Sequence, residues 1–98
     1  MGVRFPTRDT VQAALIQLLH AKGYDRPGAW VEVSVLSKGG VPAYCVTPTS
    51  QAASLLALEL ASITGRRLEQ EPWVLQQGDV NLLFGAVRQE VSARVSSL

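Results

Sequence analysis

His20 is the single histidine of the chain and Cys45 its single cysteine. A nucleophile or general base needs a partner within reach and a third group that orients it. Neither residue has such neighbours in sequence. His20 falls beside an apolar helical stripe, and Cys45 falls on the mixed face of a strand pattern, where a free thiol behaves as a small hydrophobe. A Cys45–His20 pair is the one nucleophilic arrangement open to the chain. The eight carboxylates, Asp9, Asp25, Glu32, Glu59, Glu69, Glu71, Asp79 and Glu90, are scattered. Glu69 and Glu71 share a face if extended and, close to Arg66 and Arg67, read as solvated surface. A Cys/His metal site needs more ligands than this. Ser37-Lys38-Gly39-Gly40 lacks the flanks of a phosphate loop and reads as a turn. Tyr24, Trp30, Tyr44 and Trp73 have no basic residues interleaved, so they are expected in a core or interface rather than stacked on bases. The expectation is no enzyme: no catalytic, cofactor or metal site.

Composition agrees with that expectation. Ninety-eight residues make one domain, 1–98, with 1–6 as a flexible lead. The chain is 47% apolar and 17% charged, whereas folded domains carry about 25% charge. A surface so poor in charge suits one that a partner covers. Net charge is +1, and the longest basic block is Arg66–Arg67. That is not the basic stripe of a nucleic-acid binder nor the Lys/Arg-rich face of a membrane-surface helix. Nucleic-acid binding through Arg66, Arg67, Arg88 and Arg94 is the alternative function. One cysteine excludes an internal disulfide and suits a reducing compartment. Met1–Pro6 has no apolar signal core, and no apolar run reaches the roughly 18–20 residues that span a bilayer. The expected setting is cytoplasmic, without direct membrane insertion.

Residues 7–22 predict a helix. Thr7 is placed to cap it, Asp9 sits in its first turn, and Val11, Ala14, Leu15, Leu18 and Leu19 make one stripe. Residues 30–47 predict a β-hairpin turning at Gly39-Gly40, since both central positions of a type I′ turn need positive φ. Lys38 then faces Val41, Val35 faces Tyr44 and Val33 faces Val46, all expected on one side. Glu32, Ser34, Leu36, Ala43, Cys45 and Thr47 form the other, mixed side. Pro42 argues that the second strand lies at an edge. Residues 49–64 predict a second helix ended by Gly65. Its one charge is Glu59, and its leucines cover more than half the circumference. A helix apolar nearly all round is usually covered on more than one side. One domain core covers one side, so a partner helix against Ser54, Ala57 and Ala61 is the simplest second cover. Complete burial by its own chain is the plainer reading.

The last third supports two readings. In one, a strand near Trp73–Leu75 precedes a helix capped by Asp79, with Val80, Leu83, Phe84, Val87, Val91 and Val95 at helical spacing. In the other, strands run at Trp73–Gln76, over Val80, Leu82 and Phe84, and over Val91, Ala93 and Val95. The strand reading is preferred, because Gly85 costs roughly 1 kcal/mol inside a helix and valines favour strands. The expected fold is α+β, in the order α-β-β-α-β-β-β.

Three stretches carry a resemblance to the roadblock family of small scaffold domains. They are Val33–Tyr44, the second helix from Gln51-Ala52-Ala53-Ser54 to Ala61-Ser62-Ile63-Thr64-Gly65, and Trp73-Val74-Leu75-Gln76 with Asn81–Gly85 and Val91–Val95. The Gln51–Ser54 and Ala61–Leu68 stretches look like the Ragulator (LAMTOR) type. The resemblance implies a five-stranded antiparallel sheet flanked by two helices, a roadblock/profilin-like sandwich. It also implies a homodimer, or a heterodimer with another roadblock-type subunit, formed by the second helix and the following strand. The interface then comprises Ala53, Ser54, Leu56, Ala57, Leu60, Ala61, Ile63, Trp73 and Leu75. The implied role is a non-catalytic scaffold that regulates or recruits a small Ras-like GTPase or assembles a larger complex, held on a lysosomal or vacuolar membrane through that complex.

Overall fold

The computed structural model of the chain describes residues 5–24, 27–68 and 72–96, with the backbone alone at 38 and 91–96. Glu69 and Glu71, read above as solvated surface, lie outside the described residues, as do most of the flexible lead and the side chains of Val91, Arg94 and Val95.

Helix α1 spans Arg8–Ala21. The Thr7 hydroxyl accepts from the Thr10 N–H at 3.2 Å, Asp9 lies in the first turn, and the whole predicted stripe from Val11 to Leu19 is buried. Strands β1 (Val31–Lys38) and β2 (Val41–Pro48) flank Gly39 and Gly40, whose φ values of 61° and 80° are those the turn required. The register sets Lys38 against Val41, Val35 against Tyr44 and Val33 against Val46. Side chains alternate along a strand, so Val41 belongs with Leu36 and Ala43 on the mixed face. The expectation that it shares the side of Val33 and Tyr44 is corrected by that parity.

Helix α2 spans Ser50–Thr64 and closes on Gly65, whose φ is 74° and whose N–H donates to the Ala61 carbonyl at 2.9 Å. Thr49 holds the cap position but uses its hydroxyl elsewhere. It donates to the Gly28 carbonyl at 2.7 Å and accepts from the Trp30 N–H at 3.0 Å, which ties the loop before β1 to the start of α2. Strand β3 is Trp73–Leu75 and pairs antiparallel with β2, Tyr44 opposite Leu75 and Val46 opposite Trp73. Helix α3 follows over Gln77–Ser96.

The fold is α+β, but it is not the five-stranded sheet with two helices. It has three helices and one three-stranded antiparallel sheet, order β1-β2-β3, in the sequence α-β-β-α-β-α. Burial decides the last third. The helix buries Val80, Leu83 and Val87 and half-buries Phe84, whereas the strand alternation would have buried Leu82, which is 51% exposed. Burying a Val or Leu is worth about 1.5–3 kcal/mol, so three of them outweigh the cost of Gly85. The start of α3 is also fixed locally. The Asp79 carboxylate accepts from the Gln76 N–H at 3.0 Å, and the Val80 N–H donates to the Gln76 carbonyl at 3.0 Å, as in one half of a capping box.

The edge position expected for β2 is likewise corrected: it is the central strand. Pro42 is tolerated because β3 ends at Leu75, opposite Tyr44, and does not reach it. The Pro42 carbonyl accepts instead from the Gln77 side chain at 3.1 Å. Val31, Val33, Tyr44, Val46, Trp73 and Leu75 share a single core with buried residues of all three helices. The helices therefore cover one face of the sheet.

Gly85 tests the correction. It sits inside α3, and a Cβ added there meets no atom within 4 Å. Gly85→Ala is expected to stabilise the protein by about 0.5–1 kcal/mol, read as a raised midpoint in chemical unfolding. An unchanged or lowered midpoint would count against a helix through residue 85.

Candidate interaction surface

The second face of the sheet has no layer over it among the described residues. Period-two parity and the register place Glu32, Ser34 and Leu36 of β1, Val41, Ala43, Cys45 and Thr47 of β2 and Val74 of β3 on it. Leu36 lies opposite Ala43 and Cys45 opposite Val74, so the apolar residues are contiguous across three strands. Leu36 is 54% exposed, Val41 47% and Val74 40%. Glu32, Ser34 and Thr47 form the polar end, where the Trp30 indole N–H donates to Glu32 at 3.0 Å. Antiparallel sheets commonly turn one face to water, and that face then reads polar. Here half of it is apolar.

The two edges differ. β3 has three residues, and the Arg66 guanidinium takes its Val74 carbonyl at 3.0 Å while pairing with Asp79. β1 has eight residues, and on its outer side the Val33 N–H donates to the Gln12 side-chain oxygen at 3.2 Å. Both ion pairs of Lys22 position helices. Lys22 Nζ reaches Glu90 at 2.9 Å and Glu59 at 3.9 Å, joining the end of α1 to α2 and α3. The Glu90 hydrogen bond, with the charges of Glu59 and Glu90, holds the Lys22 pKa above its ordinary value. At Asp79 partial burial pushes the pKa up. The hydrogen bonds from Arg66 and from the Gln76 N–H, with the Arg66 charge, outweigh it and hold the carboxyl below its ordinary range.

The residues expected to form an interface do not stay together at the surface. Leu56, Leu60, Trp73 and Leu75 fill the chain's own core. Ala53, Ala57, Ala61 and Ile63 are half-buried, and Ser54 is exposed. On the outer side of α2 the large exposed residue is Leu58, at 72%. One side of α2 is thus covered by its own chain and another faces outward. Of the four arginines considered for nucleic-acid binding, Arg66 is held by Asp79 and Val74, Arg67 is exposed, Arg88 lies with Asp9 along an open groove of about 610 Å³ between α1 and α3, and the Arg94 side chain lies outside the described residues. His20 is exposed on α1, while Cys45 lies on the face away from the helices, so the sheet separates them. Among the described residues no three His, Cys, Asp or Glu side chains gather into a metal-binding group. No described helix is long and apolar enough to cross a membrane.

Leu36, Val41 and Val74 were not singled out by sequence. The available signal was two large apolar residues, Leu36 and Val41, at positions of the hairpin whose neighbours on that face were polar or small. Val74 could be added only once β3 was known to pair with β2. Comparison with protein-family models, with curated proteins and with solved structures gives no match.

The Asp79 geometry has a pH consequence. A carboxyl whose folded pKa is lowered adds stability above its unfolded value, near the ordinary 3.8, and loses it as pH falls toward the folded value. Asp79→Asn is expected to cost about 1 kcal/mol at neutral pH, the range for a hydrogen bond to a charged group discounted for exposure. The difference from wild type, measured by urea unfolding, should shrink as pH falls below 3.8. A difference that stays constant with pH would contradict this assignment.

Proposed function

We propose that this chain is a non-catalytic protein–protein interaction domain that works through its three-stranded sheet. The observation that carries the reading is the contiguous apolar half-face away from the helices, where exposed Leu36, Val41 and Val74 surround half-buried Ala43 and buried Cys45. Exposed apolar patches rimmed by polar residues mark interaction sites, and few charges elsewhere on the chain compete with this one for a partner. The roadblock likeness placed pairing on α2 and the following strand. With three strands, and with Leu56, Leu60, Trp73 and Leu75 in the chain's own core, the surface that supports pairing is the open face. A protein partner fits better than a nucleic acid. Arg66 is already neutralised by Asp79, and the net charge of +1 gives no electrostatic draw toward phosphate.

The test is the size of the native species carrying the tagged chain in its own cells, for wild type and for Val41→Lys with Val74→Lys. Both positions are already partly exposed, so the fold should tolerate lysine. Wild type is expected in a larger species than the double variant, which should lose whatever protein the open face holds. An unchanged large species would overturn the open-face reading.

A further inference from the structure

We propose that a second copy of this chain pairs antiparallel with the outer edge of β1, centred on Leu36, joining two three-stranded sheets into one of six strands. The proposal rests on the reading that the sheet is the working surface, and it names the partner.

The turn sets the parity of β1. A two-residue loop makes Lys38–Val41 a hydrogen-bonded pair. Alternation then sends the amides of Glu32, Ser34, Leu36 and Lys38 toward β2 and those of Val33, Val35 and Ser37 outward. Two contacts agree with that parity. The Val33 N–H is taken by Gln12 from outside the ladder, and the Pro42 carbonyl turns away from β1 to Gln77. Proteins usually protect a long edge strand with a charge, a proline or a bulge. From Val33 to Ser37 the strand has no charge and no proline, and its eight consecutive pairs with β2 leave no room for a bulge. β3, by contrast, is short and its Val74 carbonyl is taken by Arg66.

These constraints select a second copy and a register. Gln12 holds the Val33 N–H, so Val35 and Ser37 are the adjacent outward residues left to pair. Centring on Leu36 sets Val35 of each copy against Ser37 of the other, and each pair exchanges both N–H···O bonds. Leu36, half-exposed in one chain, then meets Leu36 of the second copy on the open face. Glu32 and Lys38 are the only charges of β1. Antiparallel pairing keeps the two copies of Glu32 at opposite ends of the seam, while parallel pairing in register would set them face to face.

The test uses the purified full chain. Light scattering across a dilution series should give a dimer dissociating to monomer. Val35→Pro removes an outward N–H without touching the β1–β2 ladder, and should give a folded monomer. If proline unfolds the strand, Leu36→Glu carries the same expectation, because it sets two carboxylates face to face at a position exposed in the monomer. It should weaken the dimer at least about tenfold. In a Cys45→Ala background, Leu36→Cys should oxidise to a covalent dimer, because facing Cα atoms at a non-hydrogen-bonded pair lie about 4.5 Å apart, within disulfide reach. A wild type that is monomeric at every concentration overturns the proposal, as does a dimer that Leu36→Glu leaves intact. A monomer whose native complex is still lost in the Val41→Lys and Val74→Lys variant rejects self-pairing and leaves the interaction reading standing with a foreign strand or protein as partner. Retention of that complex rejects both.

Discussion

Gly39 and Gly40, both at positive φ, fix which residue of β1 faces which residue of β2, and most of the remaining architecture follows from that register. It sends Val31, Val33, Tyr44 and Val46 to the helices and Leu36, Val41 and Cys45 to the other face. It also explains how two prolines fit in a central strand. Pro42 and Pro48 face Ser37 and Val31, positions where the ladder to β1 asks for no N–H. A register shifted by one residue would reverse every side chain of the hairpin and leave the helices without a sheet to cover.

The helices then close one side only. α1 packs on β1, α2 on β2, and α3 on α1, α2 and β3, so a single core lies between the helix layer and the sheet. Lys22 ties the end of α1 to α2 and α3, and Arg66 links the end of α2, β3 and the start of α3. No described element covers the second face. An apolar half-face and an unprotected strand edge are both features that association with another protein would relieve.

Much of this was legible in the sequence where local and tertiary preferences agree. Thr7, the stripe from Val11 to Leu19, the Gly39-Gly40 turn and the Gly65 stop each have one good solution. The stretch from Val80 to Val87 has two, since Val80, Leu82 and Phe84 alternate while Val80, Leu83 and Val87 recur at helical spacing. Valine and Gly85 favour the strand locally, and burial against α1 and α2 settles it the other way. Pro42 misled for a related reason: its meaning depends on the length of β3, which no local pattern encodes. The candidate surface was half legible. The mixed character of its face was visible in the hairpin, but its continuity needed the pairing of Cys45 with Val74. The apolar excess of α2 pointed to an interface, yet Leu56 and Leu60 are taken up by the core and Leu58 remains outside.

The account comes down to whether the outward amides of β1 are bonded to a second chain. Amide hydrogen exchange at Val35 and Ser37, followed across a concentration series of the purified protein, reads this directly. The account predicts exchange as fast as an open edge when dilute and protection that grows with concentration, while Ser34 and Leu36, bonded to β2, stay protected throughout. Fast exchange at Val35 and Ser37 at every concentration would contradict it.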